Sequence, residues 1–247
     1  MSAEEAPYCL LGTPRFGGIL VVSDHASNRV PAGIDLGITP ELLTLHIAVD
    51  IGVAEVAALM VERPGVAAFL SNVSRLVCDF NRDEHAPAVI PTASDGHAIP
   101  GNALDPAERE ARLARFFRPY HDALAAQLNA VPPVLILSLH SFTPSLAEQP
   151  QEARPWQVGV LYNEDNRAAR LAIPMLVAEG LIVGDQQPYS GKQLNATMNR
   201  HAEIEGRAYL GIEIRQDQIA GSQGQAEWAE RLARIGHKVA LELSLEG

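Results

Sequence analysis

Short apolar runs alternate along this chain with longer amphipathic stretches. Val134-Leu135-Ile136-Leu137-Ser138-Leu139 is apolar at five of six positions, the pattern of a strand buried on both faces inside a helix-covered sheet. Pro132-Pro133 before it and Thr143-Pro144 after it bar a helix on either flank. Gly17-Gly18 opens a second such run, Ile19-Leu20-Val21-Val22-Ser23. Further strands are predicted at Val66–Leu70, Leu76–Phe80, Val158–Tyr162, Leu181–Val183 and Tyr209–Arg215. Thr39-Pro40-Glu41 reads as a helix start with proline at the first helical position, and the helix would turn Leu42, Leu45, Val49, Val53, Val56 and Met60 inward. His46 and Asp50, four apart, would then share one of its faces. Asp105-Pro106-Ala107-Glu108 combines an N-cap, an N1 proline and a capping-box glutamate, and opens a helix burying Leu113, Phe117, Tyr120, Leu124 and Leu128. Two more helices are predicted, one from Asn166 to Glu179 and one from Gln225 that buries Trp228, Leu232, Ile235, Val239 and Leu243. The first fifteen residues predict a looped lead-in, and Glu84–Asn102, with Pro87, Pro91 and Pro100, a long loop that could cover a site.

Strands alternating with helices predict a three-layer α/β/α sandwich around a mixed, mostly parallel sheet. No internal repeat or linker divides the 247 residues, so a single domain, 1–247, is expected. The apolar fraction of 47% allows a sizeable core. A formal net charge of -11 argues against nucleic acid and anionic membranes as partners, while leaving room for a small anionic substrate held by local arginines. Cys9 and Cys78 are too few for a disulfide framework or a zinc ribbon. With no signal-peptide or membrane-span pattern, a cytoplasmic protein is expected, its oligomeric state open.

The polar residues at the ends of the predicted strands carry the chemistry. His25 and His140 each follow a buried run, and Glu213 sits within the last strand, positions that open α/β sheets place at their ligand-binding carboxyl edge. Asp50 could join them. Two imidazoles plus one carboxylate is the ligand count of a catalytic zinc site that keeps a fourth position for water, and a further carboxylate would serve that water as general base. Arg75, Asp79, Asn81 and Arg82 crowd four polar side chains into eight positions.

Six pieces of the chain, in order, resemble the N-formylglutamate amidohydrolase family. They are Ser23-Asp24-His25-Ala26-Ser27-Asn28, His46-Ile47-Ala48-Val49-Asp50-Ile51-Gly52, the stretch Ser74–Arg82, Leu139-His140-Ser141-Phe142, Asn195–His201 and Gly211-Ile212-Glu213-Ile214. The resemblance implies a fold like that of zinc-dependent exopeptidases and hydrolysis of a small N-acyl amino acid, such as N-formylglutamate. It departs from the dedicated histidine-pathway enzymes, which read His-Ser-Gly where this chain has His25-Ala26-Ser27. Zinc carboxypeptidases take two ligands from H-x-x-E, but Asn28 stands at the fourth position here, so the metal set is expected to be His25, Asp50 and His140, with Asn28 as a hydrogen-bonding group. Glu213 is similar to the family's general base. Arg75 and Arg82 are the first choices to hold a substrate carboxylate, which the guanidinium fork matches, with Asn81, Arg200 and Arg215 behind them. Asp79 would orient an arginine from behind, and His46 and His201 are open between metal-shell and transition-state donors. The competing classes are a non-catalytic binding protein and a purely structural α/β domain, or, within the enzymes, a deacylase or peptidase for longer substrates.

Overall fold

A computed structural model describes residues 6–246. Its main sheet contains β1 (Tyr8–Leu11), β2 (Ile19–Ser23), β3 (Val66–Ser71), β6 (Leu135–Phe142), β7 (Val158–Leu161), β8 (Val183–Asp185) and β9 (Tyr209–Arg215). The order is β1-β3-β2-β6-β9-β7-β8; a small hairpin, β4 (Ala93–Ser94) with β5 (His97–Ala98), stands apart. The pairs β2–β3, β2–β6, β6–β9 and β7–β8 are parallel, while β1–β3 and β7–β9 are antiparallel. This is the mixed, mostly parallel α/β sheet expected.

The helices are α1 (Val53–Val61), α2 (Pro106–Arg112), α3 (Arg118–Ala130), α4 (Arg167–Ala178), α5 (Ala196–Met198) and α6 (Ser222–Glu246). Alternate residues of the central strands feed two cores. Ile19 and Val21 of β2, with Leu135, Leu137 and Leu139 of β6, meet α1, α4 and α6 on one face. Leu20, Val22 and Ile136 meet Phe116, Phe117, Tyr120, Leu124 and Leu128 on the other. Each such side chain contributes roughly 1.5–3 kcal/mol on burial, which is why β2 and β6 carry almost no polar residues until they reach the carboxyl edge. Among the described residues no helix is long and apolar enough to cross a membrane.

Four local expectations need correction. The predicted helix from Pro40 to Met60 is two pieces, a 3₁₀ turn at Pro40–Thr44 and α1. Between them the Asp50 amide donates to the His25 carbonyl (2.9 Å) rather than back along a helix, and Gly52 takes φ 83° as the N-cap of α1. His46 and Asp50 therefore share no helix face. The predicted strand at Leu76–Phe80 is a buried turn, with the amides of Val77 and Cys78 both donating to the Ser74 carbonyl. Its apolar residues are buried on all sides, which mimics a strand in sequence. The lead-in contributes the edge strand β1, its first five residues lying outside those described. The predicted strand at Leu181–Val183 begins two residues later, as β8.

A Cβ on Gly52 would come within 2.3 Å of the Ile219 carbonyl oxygen. Gly52→Ala combines that clash with a left-handed backbone costing roughly 1–2 kcal/mol for an L-residue, so its urea midpoint should drop by the equivalent of at least about 2 kcal/mol. An unchanged midpoint would show that the turn relaxes freely.

The helix that starts at the Asp105–Glu108 capping box is interrupted by a π-helical turn, Leu113–Phe117, before α3. Pro119 has no N–H to return to Arg115, which removes one α-helical bond there. A second π-helical turn, Asn199–Glu203, follows α5.

Candidate active site

The strand order changes direction between β2 and β6: the chain runs from β2 outward to β3, and from β6 outward on the opposite side. Open α/β sheets form a crevice at the carboxyl end of such a switch point. His25 lies two residues past β2, and His140 lies near the end of β6, in register with Glu213 of β9. In a parallel pair, residues in register point to the same face, so the register brings imidazole and carboxylate side by side. The loop before α1 brings Asp50 between the two imidazoles.

Asp50 Oδ2 lies 2.9 Å from His140 Nδ1 and 3.4 Å from His25 Nδ1, and it accepts a hydrogen bond from the Ser141 amide (3.3 Å). One ligand atom from each of His25, Asp50 and His140 lies within 4.8 Å of the others, and all three residues are buried. The far nitrogen of each imidazole faces a carboxylate. His25 Nε2 donates to Asp79 Oδ1 (2.7 Å), and His140 Nε2 lies 3.6 Å from Asp24 Oδ2. Asp24 is fully buried and accepts from the Tyr120 hydroxyl at 2.7 Å, while its Oδ2 has no hydrogen-bond partner among the described residues.

Arg75 donates to Asp50 Oδ1 (3.2 Å) and Asp79 Oδ2 (2.9 Å), and Arg82 Nε lies 3.5 Å from Asp79 Oδ2. Arg75, Arg82, Asn81, His25, Asp50, His140 and Glu213 all line one cleft of about 140 Å³. His46 lines it too, 3.1 Å from Asp95 at the tip of the β4–β5 hairpin. Asp95 also accepts from the amides of Ala147 and Glu148, so hairpin, His46 and the loop after β6 meet on one carboxylate.

Four expected residues lie elsewhere. Asn28 is exposed, three residues beyond His25 on a loop that leaves the cleft. Arg200 borders a neighbouring groove. His201 is buried against His121, its Nε2 2.9 Å from His121 Nδ1. Arg215, the last residue of β9, is bound by Asp217 and by the carbonyls of Arg154 and Pro155.

Sequence reasoning assigned no role to Asp24, Ser141, Tyr189 or Asp95. Asp24 and Ser141 carried a signal, since each is a neighbour of a strand-end histidine. Tyr189 lines the cleft and accepts a hydrogen bond from Arg154 (3.0 Å). It sits in a stretch whose Pro-Tyr-Ser-Gly composition reads only as a turn.

Burial disfavours the His25 cation and Arg75 opposes it, but Asp79 and Asp50 outweigh both and raise its pKa. His140 meets the same penalty; the hydrogen bond to Asp50 and the charges of Glu213, Asp50 and Asp24 push it up to about 9. Burial also works against the Asp50 and Asp79 carboxylates, yet their cationic neighbours hold both well below the usual range. Glu213 moves the other way: burial pushes it up to about 7 against the pull of His140. A buried cluster with carboxylates pulled down and one carboxyl pushed up is the arrangement of a site with separate electrostatic and acid–base roles.

The match to known proteins decides the family. The family model for N-formylglutamate amidohydrolase covers residues 17–220. The chain belongs to the N-formylglutamate amidohydrolase family. It is a hydrolase of the amidohydrolase class. Over its whole length it is 32% identical to a gene product of Agrobacterium tumefaciens, covering 99% of that chain with a TM-score of 0.89. The N-formylglutamate amidohydrolase of Ralstonia eutropha is 21% identical, with 98% of this chain and 100% of that one covered and a TM-score of 0.74, a likeness of fold. No curated protein matches the sequence significantly.

The donor set of this family member fits a divalent metal. It offers two imidazoles and one carboxylate, the count of a catalytic zinc site; the His25 ring is fixed from behind by its hydrogen bond to Asp79, and the Asp24 carboxylate faces His140. The same groups set a pH dependence for the metal-free protein. His140 rises from 6.5 to about 9 on folding, so its contribution to stability is complete below pH 6.5 and lost as pH climbs through 9. Glu213, raised from 4.5 to about 7, acts in the same direction at lower pH. The depressed carboxylates contribute throughout this window and fail only in acid. With chelator present the melting temperature should fall between pH 6.5 and 9; a flat or rising profile would contradict this charge assignment.

Proposed function

We propose that this single domain hydrolyses the amide bond of a small anionic N-acyl amino acid, N-formylglutamate or a close relative. The observation that carries the reading is the convergence of His25, Asp50 and His140 with Glu213 in one cleft, in a chain of this family. His25, Asp50 and His140 would hold the metal, zinc by ligand type. When bound, the metal supplies Lewis acidity toward the amide carbonyl and the attacking water.

The chain's own residues do the rest. Glu213, with a pKa near neutrality, takes a proton from the attacking water and returns it to the leaving amine. Asp79 holds the His25 imidazole in orientation from behind, and the Asp24 carboxylate faces the imidazole of His140. Arg75 is committed to Asp50 and Asp79, so it sets the charge and position of the centre. Among the described residues Arg82 makes only one long polar contact, to Asp79, which leaves its guanidinium for the substrate carboxylate, with Asn81 beside it.

This division of labour separates the two arginines. Arg82→Ala should raise KM for N-formylglutamate roughly tenfold or more, the value of a charge-assisted bond lost, with metal content unchanged. Arg75→Ala removes the cation that Asp50 and Asp79 share and should lower thermal stability as well as kcat. Equal effects of the two on KM alone would show that Arg75 also clamps the substrate. Across a panel of N-formyl and N-acetyl amino acids, kcat/KM should be highest for N-formyl compounds with an acidic side chain. Uniform rates across side chains would contradict the carboxylate clamp.

A further inference from the structure

A larger groove of about 640 Å³ adjoins the cleft and shares Asn81 and Arg82 with it. One wall is the segment from Asp83 to Ala88, the other the segment from Gln193 to Ile204, and Phe117 and His121 lie between. The π-helical turns described above, Leu113–Phe117 and Asn199–Glu203, both border it, and they face each other: the Arg200 guanidinium lies 5.9 Å from the centre of the Phe117 ring. Such turns are rare and recur at functional sites because they re-aim side chains that an α-helix would turn away. The hydrogen bond between His121 and His201 ties the two segments together, and His121 Nε2 faces the Phe80 carbonyl.

The charges in the groove are unevenly spent. Glu84 is paired with Arg118, and Asp83 accepts from the His85 amide. Burial holds His121 and His201 neutral, at about 2 and about 4. Arg200 has no carboxylate partner among the described residues, and Arg82 has only its long contact to Asp79. In a chain carrying 30 acidic against 19 basic residues, two arginines left open along one groove are placed for an anion from outside. Ile204, 79% exposed, adds an apolar rim.

We propose that this groove binds a continuation of the substrate on its amino-acid side: a second carboxylate-bearing residue, peptide-linked to the one whose acyl group is removed. The inference rests on the amidohydrolase reading above, and it deepens it. Arg82, at the junction, holds the first residue; the extension crosses Phe117 and ends at Arg200. The preferred substrate is then an N-acylated acidic dipeptide, and the free amino acid derivative fills only half of the site.

The test compares N-formyl-L-glutamyl-L-glutamate with N-formyl-L-glutamate, in wild type and in Arg200→Ala and Arg200→Lys. Wild type should cleave the dipeptide with the higher kcat/KM. Arg200→Ala should erase that advantage through KM, by roughly tenfold or more, with Arg200→Lys recovering part of it. Titration calorimetry should show L-glutamyl-L-glutamate binding wild type more tightly than glutamate does, and losing that margin in Arg200→Ala. If wild type cleaves the short compound and not the dipeptide, or if Arg200→Ala leaves the ratio of the two unchanged, the groove proposal is overturned while the hydrolase reading stands. Failure to cleave either compound would overturn both.

Discussion

Glu213→Gln is expected to lower kcat by roughly two to four orders of magnitude, the usual weight of a general acid–base group, with metal content and substrate binding close to wild type. The amide keeps the shape and burial of the carboxyl group and removes only its capacity to carry a proton. The pH profile gives an independent check. Burial, working against the pull of His140, pushes Glu213 up to about 7, and a further cation at the adjacent centre lowers it, so the acid limb of kcat/KM should lie at or below pH 7. That limb should vanish in the residual activity of the variant. Wild-type kcat would remove Glu213 from the reaction; loss of metal would make it a ligand and displace Asp50 from that role.

The second large effect is expected at Asp50. Its Oδ2 serves both imidazoles and the Ser141 amide, and its Oδ1 serves Arg75. Asp50→Ala removes a ligand and leaves Arg75 half paired, so metal affinity should fall by well over the roughly 10–100-fold that follows loss of an outer-shell partner, with turnover lost in parallel. Asp24→Asn should land inside that outer-shell range, because Asp24 reaches the centre only through His140. Competition against a chromophoric chelator measures both. Equal affinities for Asp50→Ala and wild type would show that the carboxylate is not a ligand.

The parts of this molecule that sequence made legible are those where one rule acts alone. β2, β6 and β9 are buried on both faces, so their apolar runs stand out, and the histidines close to the ends of the first two mark the sheet edge. The capping box at Asp105 predicts its helix start because capping is local. Periodicity misleads between Pro40 and Met60, where one apolar rhythm runs through two elements, and the turn of residues 45–52, with Asp50 bonded to His25 and Gly52 left-handed, separates them. At Leu76–Phe80 a buried turn has the composition of a strand. In the site, His25, Asp50, His140, Arg75, Arg82, Asn81 and Glu213 converge on one cleft, whereas Asn28 is carried away by the loop and Arg200 by the next groove. Asp24 and Tyr189 owe their places to tertiary packing, against Tyr120 and Arg154 respectively, and no local pattern encodes those contacts.

Proton NMR of N-formyl-L-glutamate incubated with the purified, zinc-loaded protein tests the central claim most directly, because substrate and both products are seen at once. The formyl resonance should give way to equal amounts of free formate and glutamate. Conversion should stop on chelation, resume when zinc is restored, and be absent in Glu213→Gln. A formyl resonance that persists unchanged with fully loaded wild-type protein would contradict the account.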